Sequence, residues 1–145
     1  MRANSYIYEL KLIAMTKRAI LAVAALLISL SLSARDFRLQ IARDIPARAA
    51  QVLEQRFTSM LSAAGHHVTE NGAPIQISAS VADRMETPGT MSQVALTIEL
   101  KAQAGEAEEV FTLTGVGSDD ADAWLRAVKQ LLPKSKATKA FTDKL

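Results

Sequence analysis

Apolar and polar side chains alternate from Phe37 to Ala42: Phe37, Leu39 and Ile41 stand against Arg38, Gln40 and Ala42. A period of two is that of a half-buried strand. Asp44-Ile45-Pro46 reads as a helix start, with an acid to cap free N–H groups and a proline tolerated in the first turn. Ala49, Val52, Leu53, Phe57, Met60, Leu61 and Ala64 then recur at steps of three and four and draw one apolar stripe. Gly65 ends that helix, because glycine takes a left-handed conformation without steric cost. Alternation resumes in Ile75, Ile77, Ala79 and Val81, in Val94, Leu96, Ile98, Leu100 and Ala102, and in Phe111 and Leu113. Thr87-Pro88-Gly89-Thr90 and Ala104-Gly105-Glu106 are the turns between these three strands. Ser118 or Asp119 caps a second helix whose expected buried stripe is Ala121, Trp124, Leu125, Val128, Leu131 and Leu132, and Pro133 stops it. Ala137, Ala140, Phe141 and Leu145 suggest a short C-terminal helix.

The order is β-α-β-β-β-α. One-sided alternation gives the sheet an apolar face and a polar face, and two amphipathic helices are available to cover the first. The expected class is α+β, a two-layer sandwich of a four-stranded, mostly antiparallel sheet with two helices on one face. If the first two strands are neighbours, a right-handed crossover sets them parallel.

Upstream, Lys17-Arg18 precede an apolar and small-residue run over residues 19–32, with Ser31-Leu32-Ser33 at its exit. A positive region, an apolar stretch of roughly 7–15 residues and small exit residues make a signal-peptidase substrate. The run of 14 residues is shorter than the roughly 17–25 that a spanning helix needs. The expected organisation is an N-terminal extension with a cleavable signal peptide over residues 1–33, cut after Ser33 or Ala34, and a single α+β domain over residues 34–145. Met15, just ahead of Lys17, is an alternative start. The mature chain is expected in the periplasm or secreted, with no membrane span left after cleavage.

Composition sharpens this in two ways. Four of the 17 basic residues (Arg2, Lys11, Lys17, Arg18) and one of the 15 acids (Glu9) precede residue 34, leaving 13 basic and 14 acidic side chains in the domain. The formal charge of +2 therefore belongs to the leader, and a near-neutral domain lacks the cationic surplus that nucleic-acid binding needs. The chain has no cysteine, hence no disulfide framework and no acceptor for a lipoprotein's lipid.

Each candidate for chemistry has a plainer reading. His66 and His67 are adjacent, point to opposite sides of an extended chain, and read as solvated residues rather than a metal site. Gly115-Val116-Gly117-Ser118-Asp119-Asp120 enters a helix but lacks the lysine and third glycine of phosphate loops, and its acids repel phosphate; it reads as a cap. Asp83, Arg84 and Glu86 read as a solvated loop after a strand, Trp124 as core, and Lys134, Lys136, Lys139 and Lys144 as a solvated tail. No catalytic, cofactor-binding or metal-ligating residue is expected. The polar sheet face is the sharper prospect, with Arg38, Gln40, Gln76, Ser78, Ser80, Gln93, Thr97, Glu99, Lys101, Thr112 and Thr114 looking outward from it. That face, or an edge strand, is suited to docking another envelope protein.

Gly115-Val116-Gly117, followed by Ala121, Ala123 and Ala127, carries a family resemblance. The element order after a leader resembles small cell-envelope modules of flagellar-assembly protein T, the curli secretion lipoprotein and related outer-membrane lipoproteins, over most of residues 37–132. In those modules a Gly-x-Gly strand end precedes a helix with alanines at helical spacing. The chain departs from them in lacking the lipidation cysteine. The resemblance implies an assembly or scaffold part, and it carries over no site residue. The expected function is a non-enzymatic, exported cell-envelope accessory or binding module. The alternatives are a secreted factor, such as an inhibitor or host-directed protein, and an enzyme with an unrecognised site. Mass spectrometry of the protein from expressing cells should find the mature N-terminus at Ala34 or Arg35; a main species retaining residues 19–32 would refute export by cleavage.

Overall fold

The computed structural model describes residues 34–145, so the expected leader over residues 1–33 lies outside it. In chain order the elements are β1 (Asp36–Ile41), α1 (Ala47–Ala63), β2 (His67–Val68), β3 (Ala73–Thr87), β4 (Gln93–Ala104), β5 (Ala107–Gly117), α2 (Asp120–Val128) and α3 (Lys136–Asp143). The strands form one sheet in the order β2-β1-β3-β4-β5. β1 is parallel to both neighbours, while β3, β4 and β5 form the expected antiparallel meander.

The α+β class stands, but the described residues hold five strands and three helices where four strands and two helices with a short third were expected. The fifth strand, β2, pairs His67 and Val68 with Asp36 and Phe37; two residues leave no periodicity to read. From β2 the chain crosses β1 to start β3 on its other side. It passes so close that a Cβ on Gly72 would lie 2.5 Å from the Phe37 backbone nitrogen.

β4 supplies the middle of the core: Val94, Leu96, Ile98, Leu100 and Ala102 are all buried. The register places Ile75 and Ile77 of β3 and Phe111 and Leu113 of β5 on the same face. α1 covers it with Ala49, Leu53, Phe57, Met60 and Leu61, each large side chain contributing roughly 1.5–3 kcal/mol by leaving water. Asp44 does not cap α1. Pro46 occupies that position without a side-chain hydrogen bond, and Ile45 is buried in the core.

α2 lies directly on β5. Gly115 and Gly117 point toward it, and a Cβ on Gly115 would stand 2.1 Å from the Ala123 carbonyl oxygen and 2.4 Å from the Ala127 nitrogen. This contact corrects part of the expected helix face: Val128 and Leu131 are buried as expected and Trp124 packs against the core, but the rest differs. The buried residues of α2 are Ala123, Ala127 and Val128, whereas Ala121 is exposed, Trp124 and Leu125 are half-buried and Leu132 is 56% exposed. Only the small side of the helix fits where the sheet has no side chains.

Eight residues do not make a stable helix alone, and α3 is held by Phe141, which is fully buried. Phe57 stands edge-on to both Phe141 and Phe111, at 6.3 Å in each case, so one aromatic chain joins α3, α1 and β5. Such pairs contribute about 0.5–1.5 kcal/mol beyond area burial. Gly115→Ala should lower unfolding free energy in urea by roughly 3 kcal/mol, the upper end of usual overpacking costs, while Thr97→Ala on the opposite face should cost less than about 1 kcal/mol.

Candidate functional site

All three helices join the core on one side of the sheet, and no described residue packs over the other. The register gathers the predicted polar positions there. Gln40 pairs with Gln76, Ser78 with Lys101, Ser80 with Glu99, and Thr97 and Glu99 with Thr114 and Thr112. Arg38 and Gln93 lie on the same surface, all of these side chains being exposed or half-buried. Where β1 ends, the surface dips into a hollow of about 320 Å³ whose polar lining is Gln40, Arg43, Gln76, Ser78, Lys101 and Gln103. Lys101 also meets Glu108 at 3.4 Å.

A bulge between Val81 and Asp83 shifts the register of β3. Without it Arg84 and Glu86 would fall on the polar face; with it they pair with Leu96 and Val94 and turn toward the helices. Arg84 then bridges Glu86 at 3.1 Å and Asp120, at the start of α2, at 3.0 Å. The loop expected at these residues is strand, and its charges tie β3 to α2. The Asp120 and Glu86 carboxylates hold the Arg84 pKa above its ordinary value.

The glycine-rich entry to α2 is a cap, as expected. The Asp119 carboxylate accepts the Asp122 N–H at 2.8 Å, and the Asp122 carboxylate accepts the Ser118 N–H at 3.1 Å, a reciprocal arrangement like a capping box. The Ser118 bond, with help from Arg126, pulls the Asp122 pKa down.

His66 departs from the solvated reading. It is 6% exposed, its Nδ1 accepts the Arg35 N–H at 3.1 Å, and its ring meets Phe37 edge-on at 5.2 Å. The Arg35 guanidinium lies over the Phe37 ring and donates to the Leu145 carbonyl at 3.1 Å, so one corner ties β1 to the segment after α3. His67 is exposed in β2, and the two imidazoles do not converge. Nothing in the pattern marked His66 as buried; its one signal was its place just past Gly65, where the chain turns back toward β1.

No protein-family model matches the sequence, and no curated protein matches it. Among solved structures, a minor lipoprotein from Acinetobacter baumannii is similar at 14% identity over 76% of this chain and 94% of that one, with a TM-score of 0.41. That superposition is too loose to assign this chain a fold family or a role. No helix among the described residues is long and apolar enough to cross a membrane.

Burial, then the charges of Arg35 and His67, lower the His66 pKa from 6.5. Between that ordinary value and the lower folded one, the unfolded chain binds a proton that the folded chain does not, so stability rises with pH across this window. Urea titrations should show the contribution intact above pH 6.5 and declining as pH falls below it. His66→Asn, which keeps an acceptor near the Nδ1 position, should flatten the decline, with His67→Asn as control.

Proposed function

We propose that this chain is an exported cell-envelope module that works by binding another envelope protein, not by catalysis, and that the uncovered sheet face is its docking surface. The observation that carries this reading is one-sidedness. Three helices pack on one face, while β1, β3, β4 and β5 present amides, hydroxyls and charges on the other, around the hollow at Gln76 and Lys101. Strands hold such groups at fixed intervals, about 3.3 Å per residue along a strand and about 4.8 Å between strands. This suits recognition of a complementary surface without an ordering cost at binding.

Several charged groups near the helices are engaged with one another rather than grouped for catalysis. Arg84 joins Asp120 and Glu86, Arg126 joins Asp122, and Lys144 joins Glu109 at 2.9 Å. Each is an exposed pair of the kind that contributes little to stability. Export rests on the leader, with its positive residues, short apolar run and small exit residues.

A photo-crosslinking residue at Gln76 or Ser78, introduced in cells, should give a discrete adduct in the envelope with a mass other than twice the chain's. The same residue at Gln55 or Ser59, on the outer side of α1, should not. Equal capture from both sets of positions, or none from the sheet, would refute the docking surface.

A further inference from the structure

The unpaired stretches of strand among the described residues are protected unequally. β2 is two residues long, and the side of β1 that it leaves uncovered runs only over residues 38–41. β3 beyond Ile77, where β1 stops pairing, carries a bulge and the charges of Asp83, Arg84 and Glu86. Short length, bulges and charge are what keep edge strands from pairing with other chains. The outer side of β5 has none of them: residues 110–117 contain no charge, no proline and no bulge.

The hairpin fixes which backbone groups that edge offers. Ala104 and Ala107 pair across the two-residue turn Gly105-Glu106, with Gly105 at φ +59. Residues flanking such a turn bond to each other, and bonding then alternates along the ladder. Glu109, Phe111, Leu113, Gly115 and Gly117 therefore bond to β4, while Glu108, Val110, Thr112, Thr114 and Val116 aim their N–H and C=O groups outward. The Glu108 carbonyl fits this, since it already accepts from Lys144 Nζ at 3.0 Å. The free stretch begins after it, at Val110, Thr112, Thr114 and Val116. Their side chains lie on the polar face, with Val110 47% and Val116 45% exposed.

We infer that this edge binds a second copy of the same chain, β5 antiparallel to β5 about a two-fold axis at Leu113. The outward residues read the same in both directions, valine, threonine, threonine, valine. The two-fold register thus sets Val110 opposite Val116 and Thr112 opposite Thr114, each twice. Like pairs of β-branched side chains and threonines stabilise neighbouring strands, and all the outward groups of the free stretch find partners. Phe111 falls opposite Gly115, a large residue against a bare one. The acids at the ends of the shared ladder, Glu108 and Glu109, are already paired with Lys101 and Lys144. Assembly stops at two, because the joined sheet otherwise exposes only the short free stretches of β2 and β1 and the guarded part of β3. Such an isologous contact closes on itself. The inference goes beyond the docking of a partner on the sheet face and stands without it.

The test is sedimentation velocity on the protein as expressing cells process it. Dimer mass is expected. Thr112→Lys with Thr114→Lys sets lysine opposite lysine on an exposed face and should abolish the dimer while leaving circular dichroism and the thermal midpoint of the monomer intact. Ser78→Lys with Ser80→Lys, on β3, should leave it. The lysine pair mixed with Thr112→Glu plus Thr114→Glu should form a heterodimer, since residue 112 of one copy faces 114 of the other. A wild-type monomer up to the solubility limit would overturn the inference. So would a dimer that survives the lysines at 112 and 114, or lysine and glutamate variants that stay apart on mixing.

Discussion

The contact between α2 and the bare backbone of β5 sets the geometry of the helical layer. Gly115 and Gly117 remove the side chains that would hold a helix at its usual distance, and Ala123 and Ala127 let the helix backbone settle into the space. Dispersion and area burial both favour such an approach, and neither tolerates an added methyl where atoms would meet at 2.1 Å. With α2 seated low over β4 and β5, α1 packs beside it. Phe57 then reaches both Phe111 and Phe141, which brings the last helix into the same core.

Putting every helix on one side leaves the other side to solvent. The sheet uses its period of two to separate a mostly apolar layer from a surface rich in amides, hydroxyls and charges. The bulge in β3 is the exception that ties the layers together, because it turns Arg84 to the helix side, where Asp120 lies at the start of α2. Edge protection follows the same economy: one edge is short, one is bulged and charged, and one is a plain run of β-branched residues.

Much of this was legible in the chain. Each strand longer than a few residues announced itself, since Phe37, Ile75, Ile77, every second residue of β4, Phe111 and Leu113 are buried where alternation put them. The stripe of α1 was equally plain, and alternation alone sorts the polar residues of the candidate docking face onto one side. Four features were not legible. β2 is too short to have a period. The bulge at Ala82 breaks the alternation and made the second half of β3 look like loop. The burial of His66 depends on Arg35 and Phe37, which are distant in sequence. The burial of Ala123 and Ala127 on α2 was not legible, because hydrophobicity ranks Leu125 and Leu132 above alanine, whereas the sheet beneath selects for smallness.

The sequence by itself determined the order of the longer elements, which residues share a face in the strands without a bulge, and the near-neutral charge of the domain. These are local properties, carried by residues within a few positions of one another. Tertiary structure decided the fifth strand, the rotation of α2, the partners of Arg84 and His66, and which strand edge stands unguarded. Each of those depends on how close two distant segments come, and that distance is set by packing between layers, which no single stretch of chain contains.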